Sequence, residues 1–133
     1  MGAAPVVKLS VEEYLAVDRV AERQSEYHDG EMFPIANVTW EHGLIVGNTA
    51  HALVQRLEKT PCHLAVAPVR VRATPTRFLL PDIMIVCGKP AFTDGAADTI
   101  TNPKLIVEVL SPPTSDFDYG GKFAISELLI SSP

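Results

Sequence analysis

Two apolar, β-branched runs in the second half of the chain are each interrupted by one acid: Leu79-Leu80-Pro81-Asp82-Ile83-Met84-Ile85-Val86 and Leu105-Ile106-Val107-Glu108-Val109-Leu110. Runs of this kind read as buried strands. Upstream the period lengthens. From about Glu41 to Lys59, Leu44, Ile45, Asn48, Leu53, Val54 and Leu57 recur largely at three- and four-residue steps. That spacing predicts a long amphipathic helix, ending before Pro61 and covering one sheet face.

Ser10 and Glu13 have the spacing of a capping box, and Val11, Tyr14, Leu15 and Val17 supply the apolar positions of a first helix to about Ala21. Ser25-Glu26-Tyr27-His28 and Glu31-Met32-Phe33-Pro34-Ile35 flank Asp29-Gly30, a strong signal for a tight hairpin turn. Pro34 places the second strand at an edge or a strand end. Three further strands are predicted over roughly 62–73, 78–87 and 104–110, and a closing helix from about Asp118. The order helix, hairpin, helix, three strands, helix predicts an α/β or α+β domain over 1–133, with a central mixed sheet flanked by helices.

Composition narrows the function. With 133 residues, 47% of them hydrophobic and 20% charged, the chain suits one globular domain. No run approaches the roughly 18 apolar residues of a membrane helix, and Met1 to Val6 has no secretory pattern, so the expectation is a cytoplasmic protein with no membrane partner. A net charge of −5 argues against a general nucleic-acid coat protein, because nonspecific affinity comes mainly from clustered Lys and Arg, so any nucleic-acid contact must use a local patch. Cys62 and Cys87 stand alone in strand-like segments and read as buried, inert thiols.

Asp82 and Glu108 carry the chemistry. A lone acid in a buried strand costs several kcal/mol unless it is paired, hydrogen-bonded or bound to a cation, so two of them suggest a shared divalent ion. Hard carboxylate oxygens suit Mg²⁺ or Mn²⁺. On spacing alone, two acids at strand ends, one in a turn and one salt-bridged, read equally well. Arg70 and Arg72 alternate with Val69 and Val71, which puts both arginines on one strand face as a phosphate-gripping strip or a solvated surface. Asn48 reads as a buried hydrogen-bonding residue.

Several of these segments, in order, resemble the Uma-two family of bacterial restriction-endonuclease-like proteins in the PD-(D/E)xK nuclease superfamily. The resemblance runs from Ser10-Val11-Glu12-Glu13-Tyr14 through Glu26-Tyr27, Asp29-Gly30-Glu31, His42, Asn48, Val69-Arg70-Val71-Arg72 and Pro81-Asp82. It continues through Leu105 to Pro112 and Asp118, Gly120, Lys122 and Phe123. It implies that Asp82 and Glu108 bind the metal, with the Val109 carbonyl as a further ligand. The superfamily's lysine two residues after the second acid is absent, since Leu110 stands there, and Lys122 is the matching residue for a lysine moved to the next helix. Glu26 matches an early acidic position, and His42 is placed to face the site.

The resemblance thus implies Mg²⁺-dependent hydrolysis of DNA. The rival reading is a nuclease-fold remnant that binds without cutting, favoured by an end that stops short of the family's further elements. The short end, with Leu128, Leu129 and Ile130, also leads to the expectation of a homodimer.

Overall fold

The computed structural model describes residues 8–66, 68–110 and the backbone of 125–127. Helix α1 (Val11–Arg19) begins with both halves of the capping box: the Ser10 hydroxyl accepts the Glu13 N–H at 3.1 Å, and the Glu13 carboxylate accepts the Ser10 N–H at 2.9 Å. Strands β1 (Ser25–His28) and β2 (Glu31–Pro34) form the predicted hairpin. Asp29 and Gly30 have φ of 51° and 103°, the paired positive values that match a two-residue turn to the strand twist.

Two of the three predicted later strands are each broken in two, and the breaks fall at prolines. Residues 62–73 give β3 (Cys62–Ala65) and β4 (Arg70–Thr74), with Pro68 between them; 78–87 give β5 (Arg77–Leu79) and β6 (Ile83–Cys87), with Pro81 between them. Proline has no N–H to continue a ladder. The third prediction holds as β8 (Leu105–Val109), and a short β7 (Thr99–Ile100) precedes it. A ninth strand, β9 (Ile125–Glu127), stands where a closing helix was expected, and the rest of that segment lies outside the described residues.

The breaks divide the strands between two sheets. One is five-stranded and mixed, ordered β2-β1-β5-β4-β7 with β4 and β7 parallel; the other is four-stranded, antiparallel and ordered β3-β6-β8-β9. The second sheet carries helix α2 (Trp40–Leu57), whose Val46 and Ala50 pack on Ile83, Val107 and Val109. Its other face turns Met84 and Ile106 onto Val71 and Ile100 of the five-stranded sheet. Strands β6 and β8 are therefore covered on both sides, which is why their sequences lack alternation. Each buried aliphatic side chain there contributes about 1.5–3 kcal/mol.

The inward stripe of α2 differs from the expected one. Leu44, Val54 and Asn48 are exposed, because the buried stripe centres on Val46 and Ala50. Beneath α1 lies a separate aromatic cluster of Tyr14, Tyr27 and Phe78, in which the Tyr14 and Tyr27 rings stack at 4.8 Å. The Tyr14 hydroxyl donates to the Ser25 carbonyl at 2.7 Å, and burial pushes its pKa up to about 12. Cys62 and Cys87 are not free thiols. The β3–β6 register sets them opposite one another and they form a disulfide across 25 residues, a proximity that only strand pairing reveals.

Candidate active site

Between β5 and β6 the chain passes from one sheet to the other through Leu80-Pro81-Asp82, and this crossing is fixed by its acids. Glu26 on β1 accepts the Leu80 N–H at 2.8 Å through Oε2. Asp82 accepts the Val109 N–H at 2.8 Å through Oδ2, which ties the crossing to β8. Its Oδ1 lies 3.0 Å from Nε2 of His42, at the N-terminal end of α2. His42 is oriented there because the Thr39 hydroxyl caps the helix by accepting the His42 N–H at 3.1 Å. The predicted residues Glu26 on β1, His42 on α2, Asp82 in the β5–β6 connection and Glu108 on β8 thus line one cleft of about 690 Å³.

Register brings the two principal acids together. Ile83 pairs with Val107 at the end of the β6–β8 ladder, and Asp82 and Glu108 each lie one residue beyond that pair, near enough for the Asp82 charge to act on Glu108. Val107 and Val109 turn toward α2, which sends the intervening Glu108 side chain to the opposite face. Glu108 is half-buried. Burial first, and then the negative charges of Glu26 and Asp82, push its pKa above the usual carboxylate range, while His28 pulls it the other way. No group among the described residues hydrogen-bonds to its carboxylate.

His28 was absent from the expected site. Its Nε2 lies 3.1 Å from Glu26 Oε1, and its ring meets Phe33 edge-on at 5.3 Å. The signal for it was present in the sequence, since residues two apart on a strand share a face with one another. Lys122 lies outside the described residues.

The two arginines share a strand face, as the alternation requires, yet helix α1 covers that face at Arg70. The Arg70 guanidinium donates to Asp18 at 2.5 Å and reaches Thr99 Oγ1 at 3.2 Å and the Tyr14 hydroxyl at 3.3 Å. Only 2% of Arg70 is exposed, so its expected role as a phosphate contact is corrected to that of a buried partner for Asp18. Arg72 donates to the Pro75 carbonyl at 2.9 Å and lies over the Phe78 ring at 5.1 Å.

The donor set fits a hard divalent cation in its chemistry, being all carboxylate, with Glu108 lacking a hydrogen-bond partner among the described residues and repelled by two other acids. Among the described residues, no three His, Cys, Asp or Glu side chains stand close enough to form a ligand group by themselves. Both Asp82 oxygens are engaged by protein groups.

An α+β fold with these two sheets and flanking helices is of the restriction-endonuclease-like class. A solved structure described as a "putative nuclease belonging to DUF820" from Anabaena variabilis ATCC 29413 shares it, with a TM-score of 0.61 and 18% identity over 78% of this chain and 59% of that one. The Uma2 family model, described as "Putative restriction endonuclease", matches residues 11–127, and the chain belongs to that family. Two uncharacterized proteins of Synechocystis sp. PCC 6803 are similar: sll1609 is 33% identical over 86% of this chain, and slr1290 is 30% identical over 92% of it. The chain spans 66% and 64% of their respective lengths.

Proposed function

We propose that this protein is a Mg²⁺-dependent endonuclease of the PD-(D/E)xK type that hydrolyses DNA phosphodiester bonds. One observation supports the reading most: Glu26, Asp82 and Glu108 are gathered at a sheet crossing, where burial and mutual repulsion disfavour the ionised form of Glu108. Such an arrangement carries an electrostatic cost that a divalent cation removes.

In this reading Asp82 and Glu108 hold the ion, with the Val109 carbonyl as a further ligand. The chemistry such an ion supplies is activation of water and neutralisation of charge on the phosphate. The protein's own part is positioning. The Val109 N–H and His42 fix the two oxygens of Asp82, and Glu26 anchors the segment that carries it. Lys122 is assigned to orient the attacking water and to offset charge that builds on the phosphate. The active form is proposed to be a homodimer, which light scattering at micromolar concentration tests.

Incubation of supercoiled plasmid with Mg²⁺ or Mn²⁺ tests the activity. Metal-dependent nicking that Asp82→Asn removes is the expected result. Metal binding without nicking under any tested condition would instead support a non-cutting binding module.

A further inference from the structure

We propose that Arg23, held by Asn37 at the mouth of the acidic cleft, is the cation that grips a substrate phosphate beside the bond to be cut. The inference rests on the nuclease reading and supplies the phosphate contact that Arg70, being buried, does not. Arg23 lies in the segment joining α1 to β1. The β1–β2 hairpin continues past its last pair, because Ile35 donates its N–H to the Gln24 carbonyl at 3.2 Å. That continuation brings Arg23 alongside 36–37. There its Nη2 donates to Asn37 Oδ1 at 2.7 Å, and Asn37 lines the cleft.

Elimination among the other described arginines favours Arg23. Arg19 is neutralised by Asp94 and Asp98, Arg70 by Asp18, and Arg77 faces Asp29. Arg72 is turned to the Pro75 carbonyl and the Phe78 ring, and Arg56 lies in the last turn of α2, away from its His42 end. No ion pair among the described residues involves Arg23, and the residue is exposed. Among the described residues no Lys or Arg lines the cleft itself, so a polyanion approaching Glu26, Asp82 and Glu108 meets repulsion unless a cation stands at the rim. A guanidinium carries five N–H donors in a planar fork; the bond to Asn37 uses one and holds the plane, leaving others for bidentate contact with phosphate. The apolar walls at Ile35 and Val38 suit the sugar and base beyond that phosphate. A contact of this kind positions the duplex and reads no sequence.

Anisotropy of a fluorescently labelled DNA duplex, followed over a salt series in the Glu108→Gln background to prevent turnover, tests the assignment. Arg23→Ala is expected to weaken binding about fivefold to tenfold and to lower the log Kd against log salt slope by about one. Arg23→Lys should recover part of the affinity, since it keeps the charge and loses the fork. Arg56→Ala, at the far end of α2, should change neither quantity. Without the Glu108 substitution, Arg23→Ala should raise KM at nearly constant kcat and leave the Mn²⁺-induced rise in Tm unaltered. Parental affinity and slope in Arg23→Ala overturn this inference alone. Absence of both DNA binding and cleavage in the unsubstituted protein overturns it together with the nuclease reading.

Discussion

Asp82 and Glu108 each lie one residue beyond the Ile83–Val107 pair that ends the β6–β8 ladder, and the backbone N–H of Val109, next to Glu108, donates to Asp82 at 2.8 Å. The two acids therefore differ in kind. Asp82 has protein partners on both oxygens, whereas Glu108 has none among the described residues and feels the charges of Asp82 and Glu26. A change at either acid has a distinct expected signature.

Asp82→Asn and Glu108→Gln should each abolish metal-dependent cleavage. Thermal melts separate them from simple unfolding. Saturating Mn²⁺, at about one hundred times Kd, should stabilise the parent by about 2.7 kcal/mol through mass action, and neither variant should gain as much. Without metal, Glu108→Gln should melt at or above the parent, because it removes a half-buried charge that its neighbours repel. Equal Mn²⁺ shifts in all three proteins would place the ion elsewhere.

Lys122→Ala should lower turnover while leaving Mn²⁺ affinity near the parental value, since the lysine is assigned to water and phosphate rather than to the ion. Isothermal titration with Mn²⁺ alongside single-turnover cleavage distinguishes the two quantities. Parental cleavage rates in Lys122→Ala would remove the assignment and make His42 the next candidate.

The Arg70–Asp18 pair predicts a stability asymmetry. Arg70→Met leaves the Asp18 carboxylate buried without its cation and should cost about 3–5 kcal/mol, whereas Arg70→Met with Asp18→Leu should recover much of that loss. Urea melts of the two variants measure the difference. A single substitution as stable as the double one would show that other groups compensate for the buried charge.

Reduction of the Cys62–Cys87 disulfide should lower stability by about 2–4 kcal/mol, the usual scale for a bridge closing a loop of this size. Comparison of melts with and without dithiothreitol, set against Cys62→Ser with Cys87→Ser, checks it. The double serine variant should be insensitive to reductant.

Asp98 gives a pH signature. Hydrogen bonding from Arg19 is the main cause lowering its pKa from 3.8 to about 2. A depressed carboxylate contributes stability that is present above its unfolded pKa and lost as pH falls toward its folded one. Asp98→Asn should therefore flatten the decline in stability between about pH 4 and pH 2. Parallel melting curves for the two proteins through that window would contradict the assignment.

What the sequence determined by itself was local. The capping box at Ser10 and Glu13, the Asp29-Gly30 turn and the burial of β6 and β8 follow from residue chemistry over a few positions, and each is found. The tertiary structure decided what depends on which elements meet. Pro68 and Pro81 were visible as residues, but their division of the strands into two sheets required knowing each segment's partner. The same holds for Arg70: alternation put it on a face with Arg72, and only the docking of α1 made that face an interior one. Cys62 and Cys87 became a disulfide through the β3–β6 register, and His28 reached Glu26 on a face shared along β1. Asp82 and Glu108 lie 26 positions apart in sequence, and the antiparallel register of β6 and β8, which pairs their neighbours Ile83 and Val107, is what brings them to one cleft.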